Sequence, residues 1–165
     1  MSKRDIIIGV VIFAILVGAV FFFRRQKKGP ELPITPPPSV EDKIEKSFNI
    51  ELPDDVDKAT LKDVSGGDSS GISTRKYANG KFTHTALADL PDPDSGEVYE
   101  GWLVRGNPGE ANFSFISTGK MRVAKGGWLL EFQSSKDFSD YKMVVVTLEK
   151  VDDKKPEKHI LEGSF

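Results

Sequence analysis

This chain of 165 residues has no cysteine and only two histidines. Without cysteine there are no disulfides, no thiolate zinc sites, no cysteine nucleophile, and no lipid attachment at a processed N-terminal signal. The histidines, His84 and His159, stand in no His-x-x-x-His, His-Glu-x-x-His or carboxylate-spaced pattern, so a catalytic metal is not expected. Serine is plentiful, yet the one Gly-x-Ser-x-Gly string, Gly67 to Gly71, falls in an expected loop with no helix after it to make a nucleophile elbow, and no Ser-x-x-Lys falls in a helical setting. The chain therefore offers no candidate nucleophile. No catalytic, cofactor-binding or metal-binding residue is assigned, no cofactor is implied, and an enzyme is not expected.

Clustered positive charge is also missing outside one short stretch. Of the 23 basic residues six precede Gly29, as does one of the 25 acidic ones, which leaves 17 against 24 and a formal charge of −7 for the remainder. Lysines scattered among carboxylates cannot neutralise a phosphate backbone, so nucleic acid is not an expected partner.

What the chain does have, at its start, is an unbroken run from Ile6 to Phe23 with no charged or strongly polar side chain. As a helix rising about 1.5 Å per residue it spans about 27 Å, close to the hydrocarbon thickness of a bilayer, with its backbone amides satisfied internally. A cleaved signal peptide has a shorter apolar core and a small-residue cleavage site just after it. Here Phe21, Phe22 and Phe23 run directly into Arg24, Arg25, Gln26, Lys27 and Lys28, an aromatic and basic edge typical of a retained span. Residues 1–28 are thus expected to be a membrane anchor with its helix at 6–23, and the lipid bilayer the first partner.

The roughly 135 residues that follow suffice for one small domain and a linker. Gly29 to Ser39 carries five prolines and is expected to be a semi-rigid polyproline stalk. Val40 to Phe48 has the makings of a short helix: Ser39 can cap it, and Val40, Ile44 and Phe48 share one face. So short a helix needs a docking surface. Asn49 to Gly71, ending in Ser65-Gly66-Gly67-Asp68-Ser69-Ser70-Gly71, is expected to be a flexible acidic loop, which closes a linker region of 29–71.

From residue 72 to 165 short runs of Val, Thr, Phe, Tyr and Trp alternate with Gly, Asn, Asp and Pro, the pattern of an all-β domain. Ser73–Ala78 and Lys81–Leu90 flank Asn79-Gly80, a strong two-residue hairpin signal, with Phe82, His84, Ala86, Ala88 and Leu90 on one side of the second arm. Further strands are expected at Val98–Arg105, Asn112–Ser117, Lys120–Ala124, Trp128–Gln133, Lys142–Lys150 and His159–Glu162, with a tight turn at Gly126-Gly127. Eight short strands point to a small antiparallel β-sandwich, Greek-key-like, or a partly closed barrel. Met143-Val144-Val145-Val146 is apolar on both faces and should lie centrally in its sheet.

Three features invite a functional reading. Asp89 to Glu97 concentrates carboxylates, but Gly96 falls where the fifth-position oxygen of a calcium loop belongs and two prolines stiffen it, so a turn is expected. Asp137 and Asp140 likewise suit a turn. His84 on an alternating face is expected at the core edge, and Tyr99, Trp102, Trp128 and Tyr141 in the core rather than in a surface patch.

Tyr99-Glu100-Gly101-Trp102-Leu103-Val104, Ser117-Thr118-Gly119-Lys120, Val145-Val146-Thr147-Leu148-Glu149, Pro156 and Leu161-Glu162-Gly163 together give a chain that resembles the C-terminal extracytoplasmic domain of the anti-sigma-K factor family. The likeness runs from about Gly80 to Phe165. It implies an all-β domain outside the membrane behind a single helix, with no catalytic residue. In that family a cytoplasmic N-terminal domain holds the sigma factor; here Met1 to Asp5 is too short for that role, so sigma inhibition does not transfer with the fold. Lys150 to Lys155 also replaces the family's glycine-rich stretch.

The flanking charges, Lys3 and Arg4 before the span against Arg24, Arg25, Lys27 and Lys28 after it, favour a cytoplasmic domain, whereas the stalk and the resemblance favour an extracytoplasmic one. The expectation is a single-pass protein of the cell membrane whose extracytoplasmic β-sandwich acts as a non-enzymatic sensing or interaction domain through a protein partner. The alternative is a surface-anchored module that binds a glycan or a divalent cation.

Overall fold

The computed structural model describes residues 37–165 apart from residue 152. The expected span at 6–23 and the proline-rich stretch up to residue 36 lie outside the described residues. Among the described residues no helix is long and apolar enough to cross a membrane.

The helix expected at Val40–Phe48 forms over those residues and is named α1. Ser39 caps it: its hydroxyl accepts from the Asp42 amide, and the Asp42 carboxylate accepts from the Ser39 amide in return, so two otherwise unpaired donors are satisfied. The helix stops at Asn49, which takes a left-handed conformation at φ 55°. Ile44 and Phe48 are buried, and the surface they meet belongs to the β domain.

Nine strands follow: β1 (Asp57–Asp63), β2 (Ser70–Ala78), β3 (Lys81–Asp89), β4 (Val98–Arg105), β5 (Ser114–Lys120), β6 (Arg122–Ala124), β7 (Gly127–Ser134), β8 (Met143–Glu149) and β9 (Lys158–Ser164). β1 corrects the expectation of a flexible loop over 49–71. Only Ala59 and Leu61 mark its apolar face, too few for periodicity to reveal, and its conformation is set by antiparallel pairing to β2 and β9. The Asn79-Gly80 hairpin is as expected, with both residues at positive φ, 53° and 73°. The next tight turn is Lys125-Gly126, since Gly127 already pairs with Ala124.

The strands make one antiparallel sheet in the order β5-β4-β8-β9-β1-β2-β3-β7-β6, with β8 well inside it as its apolar run requires. Of the two expected architectures, the sandwich gives way and the partly closed barrel is found, a single antiparallel sheet nearly closed on itself. Closure follows from one residue. β5 and β6 are the two edges of the sheet, yet only Met121 separates them in sequence, and its amide donates to the Tyr99 carbonyl at 2.8 Å. The chain thus leaves β4 and joins β7 while turning a corner, and nearly removes the free edges an open sheet exposes.

The interior is filled by one cluster that includes Leu61, Phe82, Leu103, Leu130, Val144, Val146 and Leu161. Phe82 meets Phe138 and Phe132 edge to face at 5.6 and 6.4 Å. A separate cluster lies on the outside of β2, β3 and β7, where α1 covers Ile72 and Leu87.

Candidate binding groove

Strands β4 and β8 are apolar on both faces, and only the inward face is consumed by the barrel interior. Trp102, Val104, Met143 and Val145 point outward, set side by side by the pairs Trp102–Val145 and Val104–Met143. They form the floor of a groove of about 340 Å³. Phe113 and Phe115 wall one side, with the Phe115 ring 5.9 Å from the Trp102 ring. Pro108 and Pro156, from the loops after β4 and β8, complete the walls. Asn107, His159 and Glu162 are its polar rim. An apolar, partly aromatic concavity with few polar groups is the usual character of a binding site.

The rim depends on an irregularity in β9. Alternation places residues three apart on opposite faces of a strand. Between Val146 and Thr147 the register of β8 with β9 shifts, so that Ile160 is the extra residue and both Ile160 and Leu161 join the core. His159 and Glu162 therefore emerge on the same outer face, with Nδ1 and Oε1 2.6 Å apart. A second bulge, where Gly101 pairs with Gly119 but Trp102 with Ser117, does the same on β5: Ser117 lies opposite Trp102 and Lys120 opposite Glu100, with Thr118 as the extra residue. Bulges of this kind re-aim side chains near functional sites.

Polar contacts hold the floor in place. The Trp102 indole N–H donates to Thr147 Oγ1 at 2.8 Å, and Ser117 Oγ donates to the buried Glu100 carboxylate. Glu149, also buried, accepts from the Glu157 amide at 2.9 Å and so pins the loop that carries Pro156. Glu100, Trp102, Ser117, Val145, Thr147, Glu149 and Pro156, which lie far apart in sequence within the motifs singled out above, meet on this one face.

The other sequence candidates fall elsewhere. Tyr99, Trp102 and Tyr141 are buried as expected, and half-buried Trp128 packs against Tyr99 at 5.2 Å. Asp89 to Glu97 turns as expected, with the Glu97 amide bonded to the Asp94 carbonyl, and it borders an acidic cleft of about 520 Å³ shared with Asp63 and Asp68. Among the described residues no group of three or more His, Asp or Glu is arranged to hold a metal ion. The Asp63 carboxylate is taken up by its own loop. Desolvation pushes its pKa up, but bonds from Ser65, Gly67 and Ser69 outweigh this and hold it at about 2. Asp137 caps the turn to Ser139, and Asp140 pairs with Arg105 at 2.5 Å.

His84 is more deeply placed than the core edge expected for it: it is fully buried, with Nε2 2.8 Å from Ser73 Oγ and Nδ1 without a partner. Burial, and secondarily the Arg75 guanidinium, lower its pKa to about 4. It does not border the groove. Sequence reasoning missed Phe113, Phe115 and Met143 as groove residues. The available signal was the alternation Phe113-Ser114-Phe115, which repeats the outward apolar pattern of Trp102 and Val104 on the neighbouring strand.

No protein-family model matches this chain, and neither a curated protein nor a solved structure does so.

Proposed function

We propose that this chain is a single-pass membrane protein whose β-barrel is a non-enzymatic extracytoplasmic interaction or sensing domain, of the kind the C-terminal domain of an anti-sigma-K factor represents. Ile6–Phe23 is its anchor, and a protein partner is bound in the groove over β4 and β8. The observation that carries this reading is the groove itself: a Trp102 floor, phenylalanine and proline walls, and a sparse polar rim, formed where the resemblance-bearing residues converge. Such a surface suits apolar side chains of another protein, and the His159–Glu162 pair at its rim has no Ser, Thr, Cys or Lys beside it among the lining residues to act as a nucleophile.

The test is a photo-crosslinking residue in place of Phe113 in the membrane-embedded full chain, with a second at exposed Lys81 as reference. A discrete protein adduct at 113 and none at 81 supports the reading; equal labelling at both sinks it. A single cysteine at Ser135 reports the side of the membrane. Labelling by an impermeant maleimide in intact cells supports the extracytoplasmic placement, and labelling only after lysis overturns it.

A further inference from the structure

The outer face of β2, β3 and β7 carries Ile72, Leu87 and Leu129 in one row, because Ile72 pairs with Leu87 and Leu87 with Leu129. Ile44 and Phe48 of α1 and Leu52 just beyond it pack into this row, in a cluster separate from the barrel interior. The charges match as well: Lys58 on β1 meets the carboxylate of Glu41 in the first turn of α1 at 2.6 Å. At nine residues α1 is shorter than the roughly 12 to 15 at which isolated helices become even marginal in water, so it is helical because it is docked. Its backbone hydrogen bonds remain within the helix and its caps, so what holds it to the barrel is packing: the apolar side chains, and the close approach of Gly126 to the backbone of Ser47 and Phe48.

We propose that this face is a helix-docking groove which α1 occupies as an intramolecular plug, and that when α1 lifts it accepts an amphipathic helix of the same pattern from another chain. The pattern is apolar residues at i, i+4 and i+8 with a carboxylate in the first turn to meet Lys58, the arrangement of Val40, Ile44, Phe48 and Glu41. Residues 49–56 tether α1 to β1, and a linker this short gives the plug an effective concentration on the order of millimolar, so an incoming helix is held off until α1 is displaced. The face is thereby self-blocked. It is separate from the groove over β4 and β8, and the two are tested independently.

The probe is a labelled synthetic peptide of residues 38–52, added to the full chain in detergent. Ile44→Asp puts a carboxylate where a side chain is buried and unseats the plug. The expected result is saturable binding of the peptide to this variant, at least tenfold weaker binding to the unaltered chain, and no binding by a peptide that itself carries I44D. A folded I44D chain, with its β circular dichroism intact, that fails to bind the peptide overturns the proposal. Should I44D not fold, Phe48→Asp serves instead, since Phe48 is the other buried side chain of α1 and lies outside the barrel. Hydrogen exchange on the unaltered chain is a third measure. Amides of 44–48 are expected to exchange at least tenfold faster than those of Val144–Val146, and a single common rate for both overturns the idea of a detachable plug.

Discussion

Trp102 and Thr147 lie on adjacent strands and are joined by an indole N–H to hydroxyl bond of 2.8 Å, with Trp102 only 1% exposed. This bond fixes the ring that floors the groove. Thr147→Val keeps the shape and removes the acceptor, which leaves a buried donor unpaired at a cost of about 1–3 kcal/mol. Urea unfolding followed by Trp fluorescence is expected to show the midpoint falling without a change in slope; an unchanged midpoint would mean the indole finds another acceptor.

His84 makes the domain acid-sensitive in a defined window. Its pKa is lowered to about 4 in the folded chain, so the unfolded chain takes up a proton below about 6.5 while the folded one resists. Stability from this group is therefore complete above about pH 6.5 and declines as pH falls toward 4, by about 3 kcal/mol in all. His84→Leu is expected to flatten the difference in urea midpoint between pH 7 and pH 4.5. The informative quantity is the contrast with the parent chain, since carboxylates such as Asp63 titrate in both.

Gly101 has no room for a side chain. A Cβ there would sit 2.5 Å from Leu130 Cδ1 and 2.9 Å from Thr118 Oγ1, with Leu130 a core residue. Gly101→Ala is expected to cost about 1–3 kcal/mol through overpacking, read as a lowered melting temperature. Gly80→Ala meets no atom within 4 Å but must hold φ 73°, so its cost is backbone strain of about 1–2 kcal/mol. Equal and negligible effects at both would contradict the packing described at the β4–β5 bulge.

Phe113 is 36% exposed on the wall of the groove. Phe113→Ser is expected to shift stability by no more than about 1 kcal/mol while abolishing capture of the proposed partner. Loss of capture together with global destabilisation would make Phe113 a structural residue instead.

The elements legible from sequence are those set by neighbours along the chain. α1 was readable because Ser39 caps it and its apolar residues recur at helical spacing, and the β2–β3 hairpin because Asn79-Gly80 supplies two positive φ values at the turn. β8 was readable as a central strand from its continuous apolar run. β1 was not: two apolar residues between charged neighbours carry too little pattern, and it is a strand because β2 and β9 offer it hydrogen bonds on both sides. The aromatic residues split in the same way, since burial of Trp102 follows from its type, whereas its place beneath an open groove depends on what lies opposite.

By itself the amino-acid sequence determined a β-rich domain of antiparallel strands, its principal turns and the short helix before it, because capping, turn chemistry and hydrophobic alternation act over a few residues. Only the tertiary structure decided that nine strands form one nearly closed sheet, that Met121 carries the chain from one edge to the other, and that bulges at Thr118 and Ile160 turn Ser117, Lys120, His159 and Glu162 to the outer face. Those outcomes rest on pairing between segments up to about a hundred residues apart, where register is chosen by the fit of whole faces and a one-residue slip reverses every side chain.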